Sequence, residues 1–135
     1  MTVQIIDNLI ANLTMQRGDT PTWRIPIFES VDGVPTATPF DLTGYKIWMT
    51  AKRAWTDSDA QAVFQITSVA GQIVLVGPAA DGLIDVTPLP TSTNGLVKDE
   101  SLKYDIQIAN ATGTRVYTVR KGELLVELES TQVYS

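Results

Sequence analysis

The sequence predicts an all-β fold, an antiparallel sandwich or barrel. Three observations point there. Apolar residues recur with a period of two through most of the chain. The alternating runs are short, and Gly, Pro, Asn and Asp clusters separate them. No long segment carries a helical apolar stripe.

Taken in order, residues 1–8 read as an N-terminal arm, with apolar Val3, Ile5 and Ile6 ahead of the first regular strand. An arm of this kind is expected to order on a neighbouring subunit, because free termini fray unless tied down. The domain proper is expected over 9–135. Leu9, Ala11, Leu13 and Met15 alternate with Ile10, Asn12, Thr14 and Gln16 as its first strand. "QRGDTP" turns the chain into a strand with Trp23, Ile25 and Ile27 on one face. Pro26 has no N–H for a ladder and marks an edge strand or a bulge. "SVDGVPTATP" reads as turn-rich.

Tyr45, Ile47, Met49 and Ala51 then face one way, and Lys46, Trp48, Thr50 and Lys52 the other. "AWTDSDAQ" reads as a polar loop with room for a helical turn capped by Thr56 or Asp57. Ala62 to Ile66, Ile73 to Val76 and Leu83 to Val86 are short strands. "TPLPTSTNGLVKDES" has no periodicity and is expected to cross between sheets, with a helical turn on the way. The cleanest strand puts Leu102, Tyr104, Ile106 and Ile108 inward. "NATG" turns it into Thr114 to Arg120, "KG" reads as a further turn, and Leu124, Val126 and Leu128 alternate with Glu123, Leu125 and Glu127.

The totals bound the function. A chain of 135 residues fits one domain and needs no metal or disulfide to bury a core. With 44% hydrophobic and 19% charged residues, low charge hints that part of the surface is covered by something else. The absence of Cys and His removes disulfides, thiol nucleophiles, the commonest metal ligands and any Ser-His-Asp set, so no catalytic residue, cofactor or metal is assigned and no enzyme is expected. A net charge of −5 with only Lys52-Arg53 and Arg120-Lys121 as basic pairs argues against a nucleic-acid partner. No apolar run approaches the ~20 residues of a membrane span. The N-terminus lacks a basic region before its apolar residues, so no signal peptide is expected and the protein is read as made in a cytoplasm.

Several short motifs have bland readings. Arg17-Gly18-Asp19 spells the integrin tripeptide, but Gly-Asp between strands is ordinary turn chemistry. Asn12-Leu13-Thr14 and Asn110-Ala111-Thr112 spell glycosylation sequons without a secretion context. Asp57, Asp59, Asp81 and Asp85 match no calcium loop and read as solvated carboxylates. Apolar residues on the wrong face carry more. Trp48 and Leu125 sit at outward positions, with Lys46, Lys52 and Arg53 as a charged rim. Trp48 either packs under a loop of a strongly twisted sheet or, with Leu125, Val3, Ile5 and Ile6, meets another subunit.

"RGDTPTWRIPI", "PFDLTGYKIWMTAKR", "GLIDVTP" and "LKYDIQIANATGTRVYTVRKGELLVELEST" follow one another in an order and spacing that resembles a bacteriophage structural domain. The family is the N-terminal, immunoglobulin-like β-sandwich of phage baseplate upper proteins and related small tail and head proteins. The resemblance implies an immunoglobulin-like antiparallel sandwich. It also implies a virion structural protein, assembled in the host cytoplasm as a homo-oligomer with other phage structural proteins. A tail or baseplate place follows most directly. A head decoration (cement) protein is the alternative, favoured by the lack of a C-terminal stalk after the final strand. A carbohydrate- or receptor-binding module using Trp48 and Trp55 as stacking platforms is the third reading. The resemblance further implies that Gly18, Gly44 and Gly122 permit turns, and that Asp41 and Thr43 bond turn amides.

Overall fold

The computed structural model describes residues 3–5, 9–10, 12–31 and 34–128. The strands are β1 (Val3–Ile5), β2 (Leu9–Ile10), β3 (Leu13–Gln16), β4 (Trp23–Pro26), β5 (Phe28–Val31), β6 (Val34–Pro39), β7 (Lys46–Lys52), β8 (Phe64–Thr67), β9 (Ile73–Leu75), β10 (Leu83–Val86), β11 (Glu100–Ala109) and β12 (Val116–Glu127). They form a six-stranded sheet in the order β2-β12-β11-β7-β8, with β3 also on β12, a three-stranded sheet β4-β10-β9, and a smaller sheet β1-β5-β6.

The strand order makes the fold an immunoglobulin-like sandwich on its own terms. β4, β10 and β9 occupy the places of strands B, E and D, while β12, β11, β7 and β8 occupy G, F, C and C′ of the variable-type sheet. β2 and β3 run parallel to β12 at its outer side, and the remaining pairings are antiparallel. The two larger sheets share one apolar core. Ile25, Ile27, Ile73, Ile84 and Val86 from the smaller meet Ile47, Met49, Ile66, Leu102, Tyr104, Ile106 and Leu124 from the larger. Leu42 and Leu96, from the connections, close the ends. The period of two read from the sequence is the period of this burial: β11 alternates buried and partly exposed residues from Leu102 to Ile108.

Pro26 does lie on an edge strand. β4 is outermost in its sheet, and because Ile27 N–H donates to Gly82 O at 2.7 Å, Pro26 is one of the residues that faces away from β10. The segment Thr87–Asp99 crosses between the sheets as expected, with a 3-10 turn at Pro90–Thr93 and with Thr93 and Leu96 fully buried. It is tied to the turn after β3: Gly18 N–H donates to Thr93 Oγ1 at 2.8 Å, and Arg17 Nη1 donates to Leu96 O at 3.1 Å. The integrin-like tripeptide is therefore a structural turn, with Gly18 at φ 81°.

Four expectations need correction. The stretch 30–39 is not turn alone but belongs to a hairpin, β5–β6, whose prolines hid it from periodicity. Val3–Ile5 of the arm pair with Glu29–Val31 of the same chain, adding a third strand to that hairpin; Ile6 lies outside the described residues. Lys121-Gly122 is not a turn, because β12 runs unbroken through it. Gly122 stands opposite Tyr104, the largest fully buried side chain, and is itself buried within the strand. The turn after β7 is a 3-10 turn at Asp59–Gln61 whose N-cap is Ser58, not Thr56 or Asp57; the Ser58 N–H donates to Gln61 Oε1 at 2.9 Å.

Turn chemistry before β7 follows the expectation in part. Asp41 Oδ1 accepts from the Thr43 N–H at 2.9 Å, whereas the Thr43 hydroxyl donates to the same carboxylate at 2.6 Å and not to a backbone group. Gly44 then turns at φ 78°. One tightly enclosed glycine was not singled out by the sequence. Gly82 has φ +62°, and a Cβ there would lie 2.6 Å from Ile27 O and 2.8 Å from Phe40 O. Both are backbone atoms, and neither can swing aside.

Gly82→Ala should therefore cost roughly 2–5 kcal/mol, the sum of a left-handed penalty and overpacking. Gly113→Ala has φ +72° but open space, and should cost only ~1–2 kcal/mol. Denaturant midpoints of the two variants check this. Equal losses would show that the backbone around Gly82 relaxes.

Candidate functional site

The outer face of the six-stranded sheet carries the one outward Trp of the sandwich strands, and strand register decides its company. Across the sheet, Thr118, Gln107, Trp48 and Thr67 form one row on β12, β11, β7 and β8. Trp48 Nε1–H donates to Gln107 Oε1 at 3.0 Å, and Gln107 Nε2 donates to Thr118 Oγ1 at 3.2 Å. This relay satisfies the indole N–H and fixes the ring, which is half-buried on a face that alternation makes outward. Of the two expectations for Trp48, the structure bears on the loop alone. It is outward, and it is also flanked by loops.

Those loops make an open cleft of about 330 Å³ over Trp48. Lys46, Asp59, Gln65, Thr67 and Val69 line it with the indole. Most of its polar groups are already engaged: Gln65 Nε2 donates to Thr50 Oγ1 at 2.9 Å, and Thr67 Oγ1 accepts from the Ala70 N–H at 3.0 Å. Val69, at 78% exposure, adds a second apolar wall. Of the expected charged rim, Lys52 is paired with Asp59 at 2.9 Å and Arg53 with Glu100 at 2.9 Å. Lys46 has no ion pair among the described residues and is the cation left at the cleft mouth.

The other candidates do not converge on it. Leu125, 40% exposed, shares the face but stands in the row Thr14–Leu125–Ser101. Ser101 and Gln107 lie about 20 Å apart along β11 at ~3.3 Å per residue. Leu125 instead lines a separate depression with Asn12, Thr14 and Glu123. Between the two apolar spots lies a charged strip of Lys103 paired with Glu123, Lys52 with Asp59, and Asp105 beside Lys121. Trp55 is 52% exposed but does not line the Trp48 cleft, so the two rings are not a joint stacking platform. Val3 and Ile5 belong to the hairpin sheet. Asp57 accepts from the Ala54 N–H, Asp59 meets Lys52, and Asp85 meets Arg24, so these carboxylates serve separate local contacts. Sequence reasoning missed Gln107 and Val69. Gln107 reads as an ordinary outward polar residue until the register places it beside the indole.

The charged strip has a pH signature. Burial pushes the Asp105 carboxyl above its ordinary value of 3.8, Lys52 opposes that, and Asp59 adds to it. A raised carboxylate contributes stability below its unfolded value and loses it as pH rises through the folded one. Asp85, bonded to Arg24, Asp41, bonded to Thr43, and Glu123, bonded to Lys103, are lowered instead. Their contributions are present above the ordinary values and are lost as pH falls. Asp105→Asn should therefore be more stable than the parent at neutral pH, with the gap closing as pH falls toward 3.8. Acid unfolding below that value should persist in the variant. Urea midpoints across pH measure both, and a variant less stable at neutrality would show that the Asp105 charge is held favourably.

No protein-family model and no curated protein sequence matches the chain. Among solved structures, the chain is aligned with AggA, the major subunit of aggregative adherence fimbriae type I from Escherichia coli. The alignment has 11% identity and a TM-score of 0.26, covering 95% of this chain and 93% of that one. At that score the alignment carries no argument, and the fold assignment stands on the strand order itself.

Proposed function

We propose that the protein is a non-enzymatic structural subunit of a bacteriophage particle, set in the tail or baseplate, that assembles in several copies through protein–protein contacts with other phage structural proteins. The observation that carries this reading is the Trp48 cleft. A rigidly held indole, with its N–H already satisfied inside the chain, offers apolar area without a polar demand on the partner. Val69 extends that area, and Lys46 supplies a rim charge that fixes register more than it adds affinity. The resemblance of the motif order to baseplate domains supports the particle context. The same surface would serve a head decoration protein equally.

The cleft also favours a second reading, a carbohydrate- or receptor-binding module. An aromatic floor suits the apolar face of a sugar ring, and among the described residues the second carboxylate oxygen of Asp59 and the Oε1 of Gln65 are the acceptors that intrachain bonds leave over. Trp48 would carry that role without Trp55.

Trp48→Ala separates these readings. The half-buried indole and its one hydrogen bond imply a stability loss of ~1–2 kcal/mol, well under the ~3–5 of a core Trp. Incorporation of folded molecules into particles should fall by an amount equivalent to ~2–4 kcal/mol. Normal occupancy together with lost binding to host-surface glycans would favour the second reading, and normal occupancy alone would overturn the first.

A further inference from the structure

The edges of the sheets are not equally protected. An open strand edge is a row of unpaired N–H and C=O groups that templates another strand unless something blocks it. β4 has Pro26 facing its free side. β6 carries Pro35 and Pro39. On β8, the Thr67 N–H is taken by Gln72 Oε1 at 3.4 Å. β3 alternates buried Leu13 and Met15 with polar Thr14 and Gln16, so it offers no exposed apolar surface.

β9 has none of these devices. Its segment, Gln72 to Val76, contains no charge and no proline. Thr87 N–H donates to Gln72 O, Val76 N–H donates to Leu83 O, and Val74 stands opposite Asp85. Residues 72, 74 and 76 therefore aim their backbone at β10, and Ile73 and Leu75 aim theirs at the free side. The side chains there are apolar and wet: Val74 is 50% exposed and Leu75 43%. Asp85, the charge nearest this edge on the outer face, is already held by Arg24 through bonds of 2.9 and 3.0 Å. Gly71 at φ 94° and Gly77 at φ 72° turn the chain away at either end, which bounds the open stretch.

We propose that β9 is a self-docking edge, and that two copies of the chain join through antiparallel β9–β9 pairing about a two-fold axis at Val74. The register follows from the spacing. Ile73 of one copy faces Leu75 of the other, and each free N–H meets a free C=O. Val74 then faces its own counterpart as a pair without hydrogen bonds, with Cα atoms about 4.5 Å apart. The three-stranded sheets of the copies merge into one continuous sheet, and neither copy leaves an open β9 edge behind. The contact is isologous, so it closes at two and needs no other protein. Trp48 itself lies on the other sheet, whereas Val69 of its cleft sits in the turn that leads into β9. This inference is independent of the particle reading, since it is measured on the isolated chain in solution.

The chain has no cysteine, so a single introduced one reports cleanly. Val74→Cys should cross-link into a disulfide dimer under mild oxidation, because the two-fold places its Cα atoms within disulfide range. Val97→Cys, at a site 81% exposed and away from β9, is the control and should cross-link far more slowly. Sedimentation of the unmodified chain over rising concentration should show a dimer. Val74→Lys should weaken it by roughly tenfold or more, since like charges would face each other across the axis. The thermal midpoint of that variant, read at concentrations where the chain is monomeric, should not change. A chain monomeric at its highest soluble concentration overturns the proposal. So does a dimer that survives Val74→Lys, or a Val74→Cys rate no faster than that of Val97→Cys.

Discussion

The molecule depends on the ladder between β11 and β12. It is the longest pairing in the chain, running from Glu100–Val126 to Ala109–Val116, and each of its strands carries a further neighbour. β7 joins β11, and β2 and β3 join β12. Half of the sandwich is thus indexed to one hairpin, whose loop is held by Asn110 through backbone and side-chain bonds to Arg115. The ladder is local in sequence, so it closes at small entropic cost. Its inner face supplies Leu102, Tyr104, Ile106, Leu124 and Val126, which the opposing sheet needs in order to bury its own isoleucines.

One irregularity in that ladder tunes the rest. The register passes from Ile106–Arg120 to Gln107–Thr118, leaving Val119 as the extra residue of a bulge. Val119 is buried, and next to it Arg120 donates Nε–H to the Tyr104 hydroxyl at 2.9 Å. A guanidinium thereby satisfies the only polar atom of the largest core side chain. Beyond the bulge, Thr118 comes level with Gln107 and completes the relay to Trp48. The orientation of the outward indole is set from the far side of the sheet, two strands away.

The sequence made the strands legible where alternation was uninterrupted, as in β7, β10 and β11. It failed where backbone rules and burial disagree. β6 contains two prolines and both β5 and β6 have few apolar residues, yet they pair as strands, with Thr36 Oγ1 bonded to Glu29 O and a third strand covering one side. Gly122 mimicked a turn because glycine is usually needed for backbone freedom, whereas here it is an ordinary strand residue opposite Tyr104. The outward position of Trp48 could be read directly. Its partners could not, because Gln107, Thr67 and Val69 reach it only through pairing of segments far apart in the chain, which no local pattern encodes. The separation of Trp48 from Leu125 was hidden for the same reason: both are outward, but a face has corners.

The parallel pairing of β3 with β12 has a mechanical meaning. Leu13 to Gln16 runs alongside Leu124 to Glu127 in the same direction, so the chain enters and leaves this ladder at opposite ends. Tension between the two ends would slide the strands past each other, loading all of their hydrogen bonds at once instead of peeling them singly. The Arg17 N–H bond to Glu127 O and the Leu128 N–H bond to Asp99 Oδ1 sit where that sliding would begin. A body strung in this way resists a pull along its length as a lap joint does, by the summed strength of the overlap.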